Sequence, residues 1–291
     1  MKHRFYVLAA ALLFSTGGAA IKSTTLTSWQ VASLRSLVAA VVLLAVLPEA
    51  RRLGSARVWV ASVAYAATLI LFVLATKLTT AANAIFLQAT APFYLLAIGP
   101  LVLKEPNTRR DYLLGAVMAA GMALFFLDAP GASALAPDPA LGNALAAATG
   151  CTWALTVTAL RSLGKEPGSS SLPVVSAGNL LAFAAALPFA WPITAPPATD
   201  VAALLYLGCF QIGLAYFCMT RGVRQVPAFE ASVLILLEPA MNPVWTFLVH
   251  GERPGALSLA GGAVILGATL AHTALRPPTA TLPQTPQSLP D

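Results

Sequence analysis

The apolar run from Ala228 to Pro254 carries Glu230, Leu234, Glu238, Asn242 and Trp245 at steps of three and four residues. A helix sets residues at that spacing on one face. A carboxyl group inside so apolar a segment is expensive, so it faces either a cavity or a polar partner. Glu230 falls near one end of the run and Glu238 near its middle, where burial would let the carboxyl group exchange a proton. Other apolar runs hold isolated polar groups. Gln88 stands one turn before Pro92, whose missing N–H frees a backbone carbonyl. Tyr65 and Thr68 share a helical face with Phe72, and Gln211 and Tyr216 lie in a further run. Rings that stack, beside hydroxyls and amides that fix orientation, suit a small molecule with an apolar body and a polar end. The alternative for each residue is a packing seam, and Ser15 and Thr152 can simply bond back to their own helices. Arg35 is expected about one turn inside its run, where it either snorkels to the surface or forms a gate or vestibule that attracts an anionic group.

Enzyme chemistry has no comparable foothold. His3, His250 and His272 lack metal-ligand spacing, and no glycine-rich phosphate loop or nucleophile motif occurs, so neither a cofactor nor a metal is expected. Cys151, Cys209 and Cys218 fall inside apolar runs, as small packing residues do.

The elements that must position these groups are membrane helices. Of 291 residues, 58% are hydrophobic and 10% charged, against about 45–50% and about 25% in soluble chains. Hydrocarbon offers backbone groups no hydrogen-bond partner, and continuous rather than alternating runs point to helices rather than a barrel. Ten spans are expected, near 5–21, 30–48, 58–76, 81–103, 111–128, 139–160, 172–192, 200–220, 228–249 and 256–275. The first is read as a retained span rather than a cleaved signal peptide.

A shift of 147 residues (239 − 92, and equally 252 − 105) carries Pro92 onto Pro239, Glu105 onto Glu252, and Gly115-Ala116-Val117 onto Gly262-Ala263-Val264. Spans 3–5 thereby fall on spans 8–10. The expected fold is an all-α membrane protein of ten transmembrane helices in two five-helix repeats, 1–137 and 138–276. Residues 277–291, rich in proline, form an expected disordered cytoplasmic tail, and APGASALAPDPALG an extended linker between the repeats. Thirteen Lys and Arg residues fall on the loops of one side and three on the other, namely Lys22, Lys77 and Arg253. The positive-inside rule then makes both termini cytoplasmic. That sorting explains the net charge of +6 without a nucleic-acid partner; the partners expected are the lipid bilayer and a small-molecule substrate. Five is odd, so the second repeat is inverted relative to the first, as in many secondary transporters.

Leu237-Glu238-Pro239 through Gly251-Glu252-Arg253, the weaker Pro92 to Lys104-Glu105, Arg35 and Trp153 together resemble the drug/metabolite transporter superfamily, and within it the EamA-domain permeases. The likeness covers about residues 5–275. It departs at Phe14-Ser15, where such proteins often carry Trp before a small residue. The resemblance implies an inner-membrane, multi-pass secondary transporter, not an enzyme, exporting small organic metabolites by alternating access, and includes exporters of amino acids. Neutral or aromatic amino acids suit the aromatic and amide candidates. A drug or nucleotide-sugar substrate, an intramembrane enzyme and a membrane scaffold are the alternatives. The candidate substrate-binding set is Tyr65, Thr68, Gln88, Trp153, Gln211, Tyr216, Glu238 and Asn242, with Glu238 as the group through which a proton could couple.

Overall fold

The computed structural model describes residues 2–103, 107–127, 132–163, 170–223, 226 and 234–275. Glu105, Glu230 and the 277–291 tail lie outside them. The described chain is helical: α1 Lys2–Ser15, α2 Gly17–Lys22, α3 Ser28–Val46, α4 Ala56–Leu78, α5 Ala81–Gln88, α6 Ala91–Ile98, α7 Arg109–Leu127, α8 Pro139–Leu163, α9 Leu172–Ala190, α10 Ala198–Leu205, α11 Ala215–Val223, α12 Leu237–His250 and α13 Ala256–Leu275. Wide π-type turns join α10 to α11 over Tyr206–Leu214 and follow α6 over Gly99–Leu103.

Eight stretches among the described residues are long and apolar enough to cross a membrane, and Ala256–Ala271 is a shorter apolar helix. The first eight expected spans correspond to those eight stretches. The ninth expected span is described only from Leu234 on, which leaves α12 at 14 residues. Large apolar side chains such as Val60, 74% exposed, and Leu248, 66% exposed, point away from the bundle, as side chains facing lipid do.

Three of the expected continuous spans are interrupted, two of them for a local reason. Between α1 and α2, Ser15 and Thr16 turn their hydroxyls onto Leu12 O and Leu13 O, both at 2.7 Å, just before Gly17-Gly18. Back-bonding hydroxyls and paired glycines are recognised causes of helix bending. Between α5 and α6, Pro92 cannot donate to Gln88 O, and the chain turns just before it, with Thr90 N and Oγ1 on Leu87 O at 3.2 and 2.5 Å. The third interruption is the π segment at Tyr206–Leu214. A break also precedes Pro239, at Leu236, which is Ala89 shifted by the same 147 residues.

Starts and stops follow capping chemistry. Thr27 accepts from Gln30 N while Gln30 Oε1 accepts from Thr27 N, a reciprocal box that opens α3. Thr80 accepts from Asn83 N to open α5. Gly251, at φ 65°, ends α12 in the left-handed conformation that glycine adopts without a Cβ penalty.

In the packing, α4 lies on α8 and α9, α3 on α9 and the 206–214 turn, α7 on α13, α1 on α11 and α12, and α5 on α8 and α12. One apolar cluster gathers Phe86, Met118, Phe125 and Ile265, and another Leu43, Tyr65, Leu172 and Val175. The described part of the inter-repeat connection is less loose than expected. Ser133 and Ala136 close a tight turn, and Asp138 N donates to Leu78 O at 3.1 Å.

Candidate functional site

Arg35, Tyr65 and Asn179 each fall two residues before the midpoint of their helices (37, 67 and 181). That register puts three polar groups within about 3 Å of mid-helix height on α3, α4 and α9. Arg35 is 1% exposed and donates from Nη2 to Leu69 O at 3.0 Å, while its Nε has no acceptor. Snorkelling therefore does not accommodate this guanidinium. Arg35 lies seven residues into α3, about 10 Å at 1.5 Å per residue, and points into the bundle because a neighbouring helix offers a carbonyl there.

Around it stand aromatic rings from three further segments. Tyr65 and Tyr216 meet edge to face at 5.6 Å between ring centroids, and Phe14 meets Tyr216 in the same way at 5.0 Å. Tyr65 is fixed from behind by Gly178, where an added Cβ would come within 2.3 Å of the ring. The Tyr65 hydroxyl sits near Tyr216 and Asn179, but neither contact has hydrogen-bond geometry, so Tyr65 Oη and Asn179 Oδ1 are unsatisfied. Ser36 Oγ and Ser176 Oγ are unsatisfied as well. Buried polar atoms without partners are uncommon in folded proteins, so each of these calls for an explanation.

Glu238 occupies the first turn of α12 and is half-buried. Its carboxylate is within electrostatic reach of Tyr216, and among the described residues it has no ion-pair or hydrogen-bond partner. Gln211 lies in the π segment, 7% exposed, with Oε1 unpaired and its amide where a Cβ on Gly17 would come within 2.9 Å. Wide turns of this type recur at functional sites.

The remaining candidates are dispersed. Asn242 is fully buried against Gly18, its carboxamide without partners. Gln88 ends α5 with Oε1 unsatisfied. Trp153 is half-buried on α8. Thr68 donates to Thr152 Oγ1 at 2.9 Å, a seam between α4 and α8, so its hydroxyl is engaged by a neighbouring helix. Thr152 bonds back to Thr149 O, as expected for a helical threonine. Ser15 also accepts the Trp245 indole N–H at 2.9 Å.

Phe14, Ser36, Ser176 and Asn179 were absent from the expected set. Asn179 carried the same signal as Gln88 and Gln211, a lone amide inside an apolar span. The serines carried none, since small hydroxyls are common in membrane helices as packing residues.

A second polar group joins the ends of α2, α4, α5 and α12. Lys22 Nζ lies 2.8 Å from Glu252 Oε2, with both side chains 3% exposed. The ammonium also donates to Thr79 O at 2.9 Å and to Leu135 O, while Ala81 N donates to Glu252 Oε1 at 2.7 Å. Nearby, Lys77 Nζ donates to Thr24 O at 2.6 Å, Asp200 accepts from Thr25 Oγ1 at 2.6 Å, and His250 Nε2 lies 2.9 Å from Ala19 O.

Comparison with known proteins follows the same division of the chain. No curated protein matches the sequence. A solved crystal structure described only as that of a protein superposes with a TM-score of 0.64 over 94% of this chain and 96% of that one, at 18% identity, a likeness of fold. The EamA-like transporter family matches twice, over residues 1–127 and 140–273. Both halves being matched, the chain belongs to the EamA-like transporter family, membrane transporters of the drug/metabolite transporter superfamily that act on small molecules in a lipid bilayer.

Proposed function

We propose that the protein is a ten-helix, inverted-repeat secondary transporter of the inner membrane, with both termini cytoplasmic, that exports neutral or aromatic amino acids by alternating access. The observation that carries this reading is the interior cluster of Arg35, Tyr65, Asn179, Tyr216 and Glu238. It combines edge-to-face rings with polar atoms that lack protein partners, which is what a small amphiphilic substrate requires.

The inverted repeat is supported by the packing. Exchanging the two halves turns the α4–α8 contact into α11–α1, α4–α9 into the 206–214 turn on α3, and α5–α8 into α12–α1, while α3–α9, α5–α12 and α7–α13 map onto themselves. All of these contacts occur. Two similar halves that can trade conformations are the basis of access to alternate sides of a membrane. In this orientation the Lys22–Glu252 group lies outside and holds that side closed.

Tyr65, Gln211, Tyr216 and Glu238 contact the substrate, with Gln88, Asn242 and Trp153 beyond them and Thr68 as their support. Glu238 is the carboxyl group through which a proton gradient drives export. A nucleotide-linked sugar fits less well, because its phosphates need several cations and Arg35 alone stands among the described interior groups.

The test is efflux and uptake in proteoliposomes with a panel of neutral and aromatic amino acids, with and without a pH gradient. Saturable movement of at least one such amino acid, accelerated by the gradient, is expected. Movement of none of them removes the amino-acid reading, and movement indifferent to the gradient removes the coupling.

A further inference from the structure

The two sequence repeats are not the two packing units. α4 lies along α8 and α9, and α5 and α6 also lie on α8, whereas α1 lies on α11 and α12, and α2 on α12 and the 206–214 turn. Each repeat thus lends its first helix to the other. Side-chain bonds follow the same division. On one side, Thr79 Oγ1 and Asn83 Nδ2 donate to Asn143 Oδ1 at 2.8 and 3.1 Å, Asn143 Nδ2 donates to Phe125 O at 2.8 Å, and Asp138 N ties the start of α8 to Leu78 O at 3.1 Å. On the other, Trp245 Nε1 donates to Ser15 Oγ at 2.9 Å, Thr16 Oγ1 lies 2.8 Å from Tyr206 Oη, and His250 Nε2 lies 2.9 Å from Ala19 O. One body is therefore built on α4, α5, α6 and α8, and the other on α1, α2, α11 and α12.

Lys22, at the end of α2, and Glu252, two residues beyond α12, both belong to the second body although they come from different repeats. Their charges match each other at 2.8 Å, and each keeps a further bond for the first body. Lys22 Nζ donates to Thr79 O at 2.9 Å and to Leu135 O, and Glu252 Oε1 accepts from Ala81 N at 2.7 Å. The pair so presents a donor and an acceptor to the turn between α4 and α5. Lys77 Nζ, which donates from α4 to Thr24 O at 2.6 Å, bonds the two bodies in the reverse direction.

Two ways of parting this end differ in what they leave behind. Pulling Lys22 from Glu252 strands two buried charges. Parting both together from the α4–α5 turn keeps the charges paired and uncovers only a carbonyl and an N–H, which incoming water satisfies. We infer that the outer side opens between the Lys22–Glu252 pair and the α4–α5 turn while the pair stays whole, a clasp carried by one body with the turn as its catch. This rests on the outward placement and closing role given to the group above, and adds which contacts break.

A proline tests the catch without touching the clasp. Ala81 opens α5, and Thr80 before it sits at φ −66°, ψ 146°, so Ala81→Pro suits the first helical position and the extended residue that precedes a proline. It deletes the N–H that Glu252 accepts. The experiment measures dipolar distances between spin labels on the full chain in lipid nanodiscs, with Cys151, Cys209 and Cys218 replaced by Ala. Labels at Ser23→Cys and Arg253→Cys flank the pair, and labels at Ala140→Cys and Arg253→Cys span the two bodies; all three positions are exposed. Ala81→Pro should raise the share of a second, longer 140–253 distance several-fold over the otherwise unsubstituted protein and leave the 23–253 distance as it was. Should Ala81→Pro fail to fold, Lys77→Met removes the Thr24 bond instead and should act in the same direction.

If the 23–253 distance lengthens together with 140–253, the pair itself parts; the inference is overturned while the closing role stands. A 140–253 distance that stays single and unchanged in the folded variant overturns the inference and the closing role together. The distances do not depend on which substrate moves. The expected pattern in a protein that transports no amino acid therefore keeps the clasp and removes only the amino-acid reading.

Discussion

The Lys22–Glu252 end of the bundle and the Arg35 interior both bury charge, and they treat it in opposite ways. At the end, the ammonium has a carboxylate and two carbonyls, and the carboxylate has an ammonium and a backbone N–H. In the interior, Arg35 has one carbonyl, and Tyr65, Asn179, Ser36 and Ser176 each leave an atom unpaired. Saturated polar groups hold parts of a protein together. Unsaturated ones lower its stability and persist where something else completes them. On the function proposed above, the first region holds and the second binds, a contrast that can be broken by asking which region the fold depends on.

The largest effect is expected at the saturated end. Lys22→Met leaves Glu252 buried with its charge uncompensated, and stranding one partner of a buried pair costs about 3–5 kcal/mol. The thermal midpoint in detergent should fall steeply, and the double variant Lys22→Met/Glu252→Gln should recover most of the loss, because Gln can still accept from Ala81 N. A single variant as stable as the wild type would mean the pair does not hold the helices together.

An intermediate effect is expected where backbone packing sets the interior geometry. A Cβ at Gly178 would stand 2.3 Å from Tyr65 Cδ1. Gly178→Ala must push the ring or part α4 from α9, and overpacking of this kind costs about 1–3 kcal/mol. The protein should remain folded while amino-acid flux in proteoliposomes drops by more than the stability loss explains. Wild-type flux would show that the placement of Tyr65 is not needed.

How much of this was legible in the sequence depends on the range of each interaction. The 147-residue shift was readable because proline and glutamate are distinctive in apolar runs, and the helix breaks before Pro92 and Pro239 appear where that shift puts them. The Lys22–Glu252 pair was not readable, because 230 residues separate its members and only packing brings them together. Arg35 was placed in the right helix but given the wrong surroundings. A span apolar on every side has no periodicity to tell an inward side chain from an outward one, so depth alone suggested snorkelling. The π turn that carries Gln211 left no mark either, since it holds no proline and packs against α3, a distant stretch of the chain. Gly208, where a Cβ would lie 2.4 Å from Val38, is the clearest sign of that contact.

The smallest effect on stability, and the sharpest for the comparison, is expected from Tyr65→Phe. Deleting a hydroxyl that makes a good buried hydrogen bond costs about 0.5–1.5 kcal/mol, whereas deleting one that has no partner removes a desolvated polar group and is neutral or favourable. Tyr65 Oη belongs to the second kind, and the ring that packs against Gly178 and Tyr216 is retained. The thermal midpoint of Tyr65→Phe should therefore match or exceed that of the wild type. If the interior cluster binds substrate as proposed, amino-acid flux in proteoliposomes should nevertheless fall several-fold, because the lost hydroxyl is one that the substrate would complete. A destabilised variant with unchanged flux would reverse both halves of the argument. It would make the hydroxyl part of the scaffold, like the Lys22 ammonium, and leave the interior cluster no different in kind from the saturated end of the bundle.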